Sequence, residues 1–222
     1  MSVVENLEKI KQNIAESCYN CGRSTEDITI IGVTKYVSVE RAQEAIDAGI
    51  VNLGENRKEE LLEKYEVIGS RANWHFIGSL QSRKVKEVID KINMIHSLDR
   101  KSLAKEINKR ASAPVPCFIQ VNVSQEESKH GLAPEEVEDF VHLMEDYENV
   151  KVAGLMTMAP HDADDERLRG IFRQLRALRD KIRDKHLPYA PCEYLSMGMS
   201  NDYRLAIEEG ATHIRIGSSL VG

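Results

Sequence analysis

Lys35 stands directly after the apolar, β-branched run Ile28-Thr29-Ile30-Ile31-Gly32-Val33-Thr34, and it is the clearest candidate nucleophile in the chain. If that run is a strand, the amine projects where strand gives way to loop. Partial desolvation there turns an amine into a nucleophile towards aldehydes. Read alone, Lys35 is more simply a solvated lysine at a strand end, so the nucleophile reading needs supporting residues. Its supporting residues come from the far end of the sequence, where Gly198-Met199-Ser200 leads into a helix pattern and Gly217-Ser218 follows the last apolar run. Backbone amides at such turns and at helix N-termini, together with serine hydroxyls, form a pocket for a phosphate dianion. Either glycine turn could serve chain reversal only, but the two together with Lys35 form a coherent set.

Arg215 lies inside that last run, two residues before the glycine, on the alternate face that points inward. An unpaired charge is costly there, so it requires a carboxylate or a ligand atom. Asn56 offers an amide to a ligand hydroxyl or to a neighbouring side chain. His75, between Trp74 and Phe76, reads as a hydrogen-bonded core histidine, and Met197 and Met199 as packing residues near the site. Cys18 and Cys21 have the C-x-x-C spacing of redox and zinc sites, but they follow a helix and no second pair completes a tetrahedral set. His161, Asp162, Asp164 and Asp165 could suggest a metal loop; just before a long helix, the acids are more simply partners of its dipole. No metal is expected. The phosphate-loop lysine motif, the G-x-S-x-G elbow and H-E-x-x-H do not occur.

The elements that position these residues repeat one pattern: a short β-branched run, a polar or glycine-containing loop, then apolar residues at helical spacing. Eight such units are visible, with strand candidates ITIIGVT, IVNLG, NWHFIG, INMIHSL, VPCFIQVNV, KVAGLM, CEYLSM and THIRIG. Helices fit between them from Val39, from Pro134 and from Asp165, and the opening MSVVENLEKIKQNIAES is itself an amphipathic helix. Strict alternation implies parallel strands with right-handed crossovers, and units of about 25 residues suit a closed (β/α)8 TIM barrel better than an open doubly wound sheet. In such a barrel chemistry gathers at the C-terminal ends of the strands, and phosphate sites commonly form after strands seven and eight.

At 222 residues, with no Pro/Gly/Ser linker or charge block, the chain is expected to be one domain over residues 1–222. A 41% apolar and 30% charged composition suits a buried core with a solvated helical exterior. The net charge of −6 disfavours nucleic acid as a partner. No run approaches the roughly 20 apolar residues needed to cross a bilayer, and the start is not a signal peptide. A cytoplasmic location with reduced cysteines is expected, and no exposed apolar stripe demands a dimer, so a monomer is too.

At this point the segments carry a resemblance. IGVTKY around Lys35, LGENR, WHFIGSLQSRKVK, IHSLD, IQVNVSQEESKHGL, GLMTMAP, LSMGMSNDY and AIEEGATHIRIGSS together resemble the pyridoxal phosphate (PLP) homeostasis proteins, whose fold is similar to the barrel domain of alanine racemase. The resemblance spans about Ile28 to Gly222. It implies an alanine racemase-like barrel with an extra N-terminal helix, and Lys35 as the Schiff-base lysine of PLP. Ser200, Gly217 and Ser218 would hold the phosphate, Arg215 would face the pyridine nitrogen, and Asn56 and Met199 would lie beside the ring or phosphate. An arginine there keeps the ring nitrogen unprotonated, which makes the ring a poor electron sink. Such proteins are regarded as carriers or regulators in vitamin B6 balance, so PLP-dependent apo-enzymes are the implied partners. Tyr36 and Val37 stand where proline often follows the lysine, Arg57 and Arg83 replace tyrosine and asparagine, and Ser218 replaces a threonine. The short basic tail of such proteins has no counterpart before Gly222, so contacts from it are not expected.

Three functions compete. A non-catalytic PLP carrier accounts for the whole set. A PLP-dependent amino-acid racemase needs a second base, supplied in alanine racemase by an additional β domain for which this chain has no residues left. A sugar-phosphate aldolase would use Lys35 and the phosphate turns without a cofactor, and its protein would be colourless.

Overall fold

The computed structural model describes residues 2–126 and 130–222; residues 127–129 of the IQVNVSQEESKHGL segment lie outside the described residues. Helix α1 (Val3–Cys21) opens on a capping box, in which the Ser2 hydroxyl accepts the Glu5 N–H and the Glu5 carboxylate accepts the Ser2 N–H. Its buried residues Val3, Leu7, Ile10, Ile14 and Cys18 recur every three to four positions, giving the apolar stripe that seats it on the barrel.

Eight parallel strands follow in chain order: β1 (Thr29–Val33), β2 (Asn52–Glu55), β3 (Asn73–Phe76), β4 (Met94–Leu98), β5 (Val115–Gln120), β6 (Val150–Met156), β7 (Tyr194–Met199) and β8 (His213–Ile216). Each pairs with the next, and β8 closes on β1 with Ile31 opposite Arg215, so the sheet is a closed barrel. The outer layer comprises α2 (Val39–Asp47), α3 (Lys58–Ile68), α4 (Val85–Val88), α5 (Lys101–Arg110), α6 (Val137–Leu143), α7 (Asp165–Arg183), α8 (Tyr203–Glu208) and α9 (Ser218–Val221). Helix α1 packs against α8 and α9, beside the closure.

Each strand candidate is a strand, with shifted edges that have local causes. CEYLSM starts at Tyr194, because Cys192 has a left-handed backbone (φ 48) that cannot extend a strand. The fifth strand ends at Gln120, and Val121 makes only an isolated bridge to Leu132. The helix expected from Pro134 divides into a 3-10 turn, α6 and a second 3-10 turn at Met144–Asp146. Cys18 and Cys21 lie within the last turn of α1, not after it, and all four cysteines are free thiols. Asp164 caps α7 by accepting the Arg167 N–H at 2.8 Å, the role expected of that acidic run. Among the described residues no helix is long and apolar enough to cross a membrane, and no group of three or more His, Cys, Asp or Glu could hold a metal ion.

The barrel interior is partly polar. His96 on β4 and His213 on β8 have ring centroids 6.4 Å apart, and Phe118 on β5 lies 4.5 Å from the former and 5.1 Å from the latter. Strands four and eight lie on opposite sides of the cylinder, so these rings meet through its centre.

Candidate functional site

Lys35, Asn56, Met199, Ser200, Arg215, Gly217 and Ser218 all line one cavity of about 560 Å³ at the C-terminal ends of the strands. That volume falls in the range of ordinary small-molecule sites. The barrel explains the convergence: Lys35 follows β1, Asn56 follows β2, Ser200 follows β7, and Gly217 and Ser218 follow β8, which pairs with β1. Strand alternation does the rest. The buried Thr34 turns its hydroxyl outward to the Glu55 carboxylate, while the next residue, Lys35, lines the mouth.

One expectation needs correction. Protein burial does not desolvate Lys35, which is exposed at the mouth, with its ammonium 5.7 Å from the centre of the Tyr36 ring. Water exclusion at this amine must come from whatever fills the cavity.

The two glycine turns are stitched together, because the Ser200 hydroxyl accepts the Gly217 N–H at 3.2 Å. The helices that follow, α8 and α9, have six and four residues, so their dipoles add little and the polar cradle is made of turn amides and hydroxyls. Gly198 has φ +93, and a Cβ there would sit 2.7 Å from the Ala206 Cβ. The first turn is therefore a place where only glycine fits.

Arg215 is buried and makes no ion pair with a carboxylate among the described residues. Instead it donates to the Ser196 hydroxyl at 2.6 Å and to the Thr157 carbonyl at 2.9 Å. Burial lowers its pKa to about 10, partly offset by the Asp202 carboxylate, so it remains a cation at neutral pH. Arg215 lines the cavity, and these two bonds leave three of its five N–H groups without a named partner.

His75 is a core histidine, as its neighbours suggested: it is 4% exposed and bonded to His96 and Asn52. Met197 is fully buried packing, while Met199 is half-buried and lines the cavity. Asn56 donates to the Tyr36 hydroxyl at 3.4 Å, but its buried Oδ1 has no protein partner. A hydroxyl-bearing ring in the cavity would satisfy that acceptor. The orphaned Asn56 oxygen, the hydroxyl and turn-amide cradle, and a guanidinium without a carboxylate ion pair complement the ring hydroxyl, the phosphate and the ring nitrogen of a phosphorylated pyridine aldehyde, so the residues fit PLP.

Sequence reasoning missed the rest of the lining. Ile77 and Gly78 after β3, Met158, Pro160 and His161 from the segment between β6 and α7, and Asp165 and Leu168 in the first turn of α7 form further wall. Asp202 was quoted in LSMGMSNDY without a role. It accepts the Met199 N–H at 2.5 Å, and burial raises its pKa against that bond and the nearby Arg215 charge. A carboxylate two residues after the Gly198-Met199-Ser200 turn was the available signal, since an acid at that spacing can accept a turn N–H.

Fold and site define a class: a closed parallel barrel presenting an amine, a guanidinium and a hydroxyl cradle at one mouth. The chain belongs to the alanine racemase N-terminal domain family, whose model matches residues 6–222. It is 42% identical to the pyridoxal phosphate homeostasis protein of Aquifex aeolicus, over 100% of this chain and 98% of that one. Among solved structures it is similar to PipY of Synechococcus elongatus with PLP bound, at 26% identity and TM-score 0.86, over 100% of both chains. Alanine racemase from Corynebacterium glutamicum, at 14% identity and TM-score 0.74, shares the fold alone; the match covers 98% of this chain and 59% of that one.

Proposed function

We propose that this chain, acting as one monomeric barrel over residues 1–222 in the cytoplasm, binds PLP and serves vitamin B6 homeostasis as a non-catalytic carrier. The observation that carries the proposal is the convergence of Lys35, Asn56, Ser200, Arg215 and Ser218, from separated segments, on one cavity. Relatives named for PLP homeostasis and the PLP-bound PipY structure support it.

When bound, PLP supplies an aldehyde that condenses with a primary amine and a ring that withdraws electrons. Lys35 offers the amine. Ser200, Gly217 and Ser218 hold the phosphate with hydroxyls and turn amides, and Asn56 accepts from the ring hydroxyl. Arg215, held from behind by Ser196 and Thr157, donates to the ring nitrogen and keeps it unprotonated, which disfavours carbanion chemistry. The exposed mouth leaves Lys35 within reach of other amines, which suits delivery to PLP-dependent apo-enzymes.

The test is colour. Added PLP should give a visible absorbance band that borohydride bleaches, and Lys35→Ala should abolish it. A protein that stays colourless with PLP would sink the proposal and favour a cofactor-free aldolase. A racemase-like activity is the second reading, favoured by the shared fold and by His161 and Asp202 at the cavity. Appreciable racemisation of an amino-acid panel at full PLP occupancy would establish it over the carrier.

A further inference from the structure

Directly behind Lys35, outside the barrel wall, lies a buried polar group that the ligand site does not use. Lys64 on α3 is 2% exposed and Glu55, at the end of β2, is 0% exposed. The Lys64 ammonium lies 2.8 Å from the Glu55 Oε1 and donates to the Thr34 carbonyl at 2.7 Å. The Thr34 hydroxyl donates to the same Glu55 oxygen at 2.5 Å. One helical turn before Lys64, Glu60 has its Oε2 3.8 Å from the ammonium and accepts the Tyr36 N–H at 2.8 Å. The peptide is therefore gripped on both sides of Lys35, at Thr34 and at Tyr36, through bonds that Lys35 itself does not make.

Stability alone is a poor reason for this arrangement. Burying an ammonium and a carboxylate costs desolvation on both, and apolar residues of similar volume often serve packing as well or better. Moreover, the Glu55 Oε2 has no hydrogen-bond partner, so the network is incompletely satisfied. What the bonds do is local. Tyr36 adopts φ 65, a left-handed conformation that a bulky residue avoids unless it is held there. Its N–H is held by Glu60, while Lys64, Glu55 and the Gly54 carbonyl fix Thr34. Between those two fixed peptides, the Cα–Cβ direction of Lys35 is set even though its side chain is exposed.

We propose that Lys64, Glu55 and Glu60 are positioning residues, a clamp that aims the exposed Lys35 amine into the cavity through the backbone of Thr34 and Tyr36. The inference rests on the PLP reading for what Lys35 does, but not for how it is held. An exposed lysine has many rotamers, and fixing its backbone limits the positions the amine must search before it meets an aldehyde.

The experiment compares Glu60→Ala, Glu60→Gln and the double variant Glu55→Leu/Lys64→Met. Removing only one member of the buried pair would confound the result by destabilising the fold, whereas the apolar pair keeps the volume. Three quantities are read: amide hydrogen exchange at Tyr36 without PLP, the rate at which added PLP forms the borohydride-bleachable band, and the urea midpoint. In Glu60→Ala the Tyr36 amide should exchange about tenfold faster and PLP capture should slow about tenfold, the change expected from losing one charge-assisted hydrogen bond. Glu60→Gln keeps an acceptor for the same N–H and should restore both. The double variant should keep the parent's urea midpoint and still capture PLP slowly. Unchanged exchange and capture in Glu60→Ala, or parental capture in a folded double variant, would overturn the clamp. Alanine and glutamine variants that behave alike would do so too, since charge and not the hydrogen bond would then matter. If the parent takes up no PLP, the functional proposal fails instead, and exchange at Tyr36 alone decides the clamp.

Discussion

Arg215 donates to the Ser196 hydroxyl at 2.6 Å, and that bond sets the direction of a hydrogen-bond chain running down the barrel axis. With an arginine donating to it, the Ser196 hydroxyl has, among the described residues, one remaining partner for its own hydrogen, the His96 Nδ1 at 2.8 Å. His96 then donates from Nε2 to the His75 Nδ1 at 2.9 Å, and His75 donates from Nε2 to the Asn52 Oδ1 at 3.2 Å. The far end agrees independently, because Asn73 also donates to that Asn52 oxygen, which must therefore be an acceptor. Both histidines are assigned the neutral Nε2–H tautomer by the network.

Ser196→Ala should therefore cost more than one hydroxyl's packing. It strands a guanidinium N–H and the His96 Nδ1 in a dry interior, at about 1–3 kcal/mol for a buried group left unsatisfied. The measurement is urea unfolding, with a lower midpoint and an unchanged slope. A midpoint equal to the parent's would show that the chain carries no stability.

Acid should destabilise the fold through these two histidines and through His213, which packs beside them. Burial pushes His75 down to about 3 and His213 to about 4, each helped by a neighbouring positive or protonatable group, and burial holds His96 well below its usual value. Unfolding returns each to about 6.5, so below that pH the unfolded chain binds protons that the folded one refuses. The stabilisation is complete above about pH 6.5 and declines by about 1.4 kcal/mol per pH unit for each histidine as pH falls towards the folded values. His213→Asn should flatten the decline in urea-derived stability between pH 7.5 and pH 5. An undiminished slope would assign the acid sensitivity to other groups.

Gly78→Ala should disturb the site more than the fold. A Cβ there would lie 2.8 Å from both the Asn56 Cα and the Asn56 Cβ, and closer still to the Asn56 carbonyl oxygen. Asn56 must move, which misplaces its amide and should weaken PLP binding about tenfold, with a stability loss of about 1–3 kcal/mol. Equilibrium titration of the visible band measures the first effect and urea unfolding the second. PLP affinity equal to the parent's would remove Asn56 from the site.

Ser200→Ala should act on phosphate recognition specifically. The substitution removes a hydroxyl from the cradle and the acceptor that ties the two turns through the Gly217 N–H. PLP binding should weaken about tenfold or more, while pyridoxal, which lacks the phosphate, should lose little. Equal losses for both ligands would place Ser200 away from the anion.

Much of this was legible in the sequence because strand residues announce themselves locally. Runs such as ITIIGVT and THIRIG are β-branched and are bounded by polar or glycine turns, and every such run is a strand. The lining of the cavity was legible wherever residue type and strand end coincided, as at Lys35 and Ser218. Partnership across the barrel was not. Lys64 lies in KEELLEKYEVI, which reads as a charged, solvated helix face, and only the fold shows that one of its lysines turns inward to Glu55. His96 likewise reads as one more strand histidine until β4 and β8 face each other through the centre. Arg215 was correctly placed inward, yet its partners are a hydroxyl and a carbonyl, which no spacing rule identifies.

Strand β1 lies beside β8, so the cylinder's seam joins the earliest and latest of its staves, and the site straddles that joint. On the proposed reading, a molecule bonded to Lys35 on one side and gripped at Ser200 and Ser218 on the other would act as a latch across it. Releasing the latch and loosening the hoop would then be linked events, and the protein's resistance to opening would report on whether the cavity is filled.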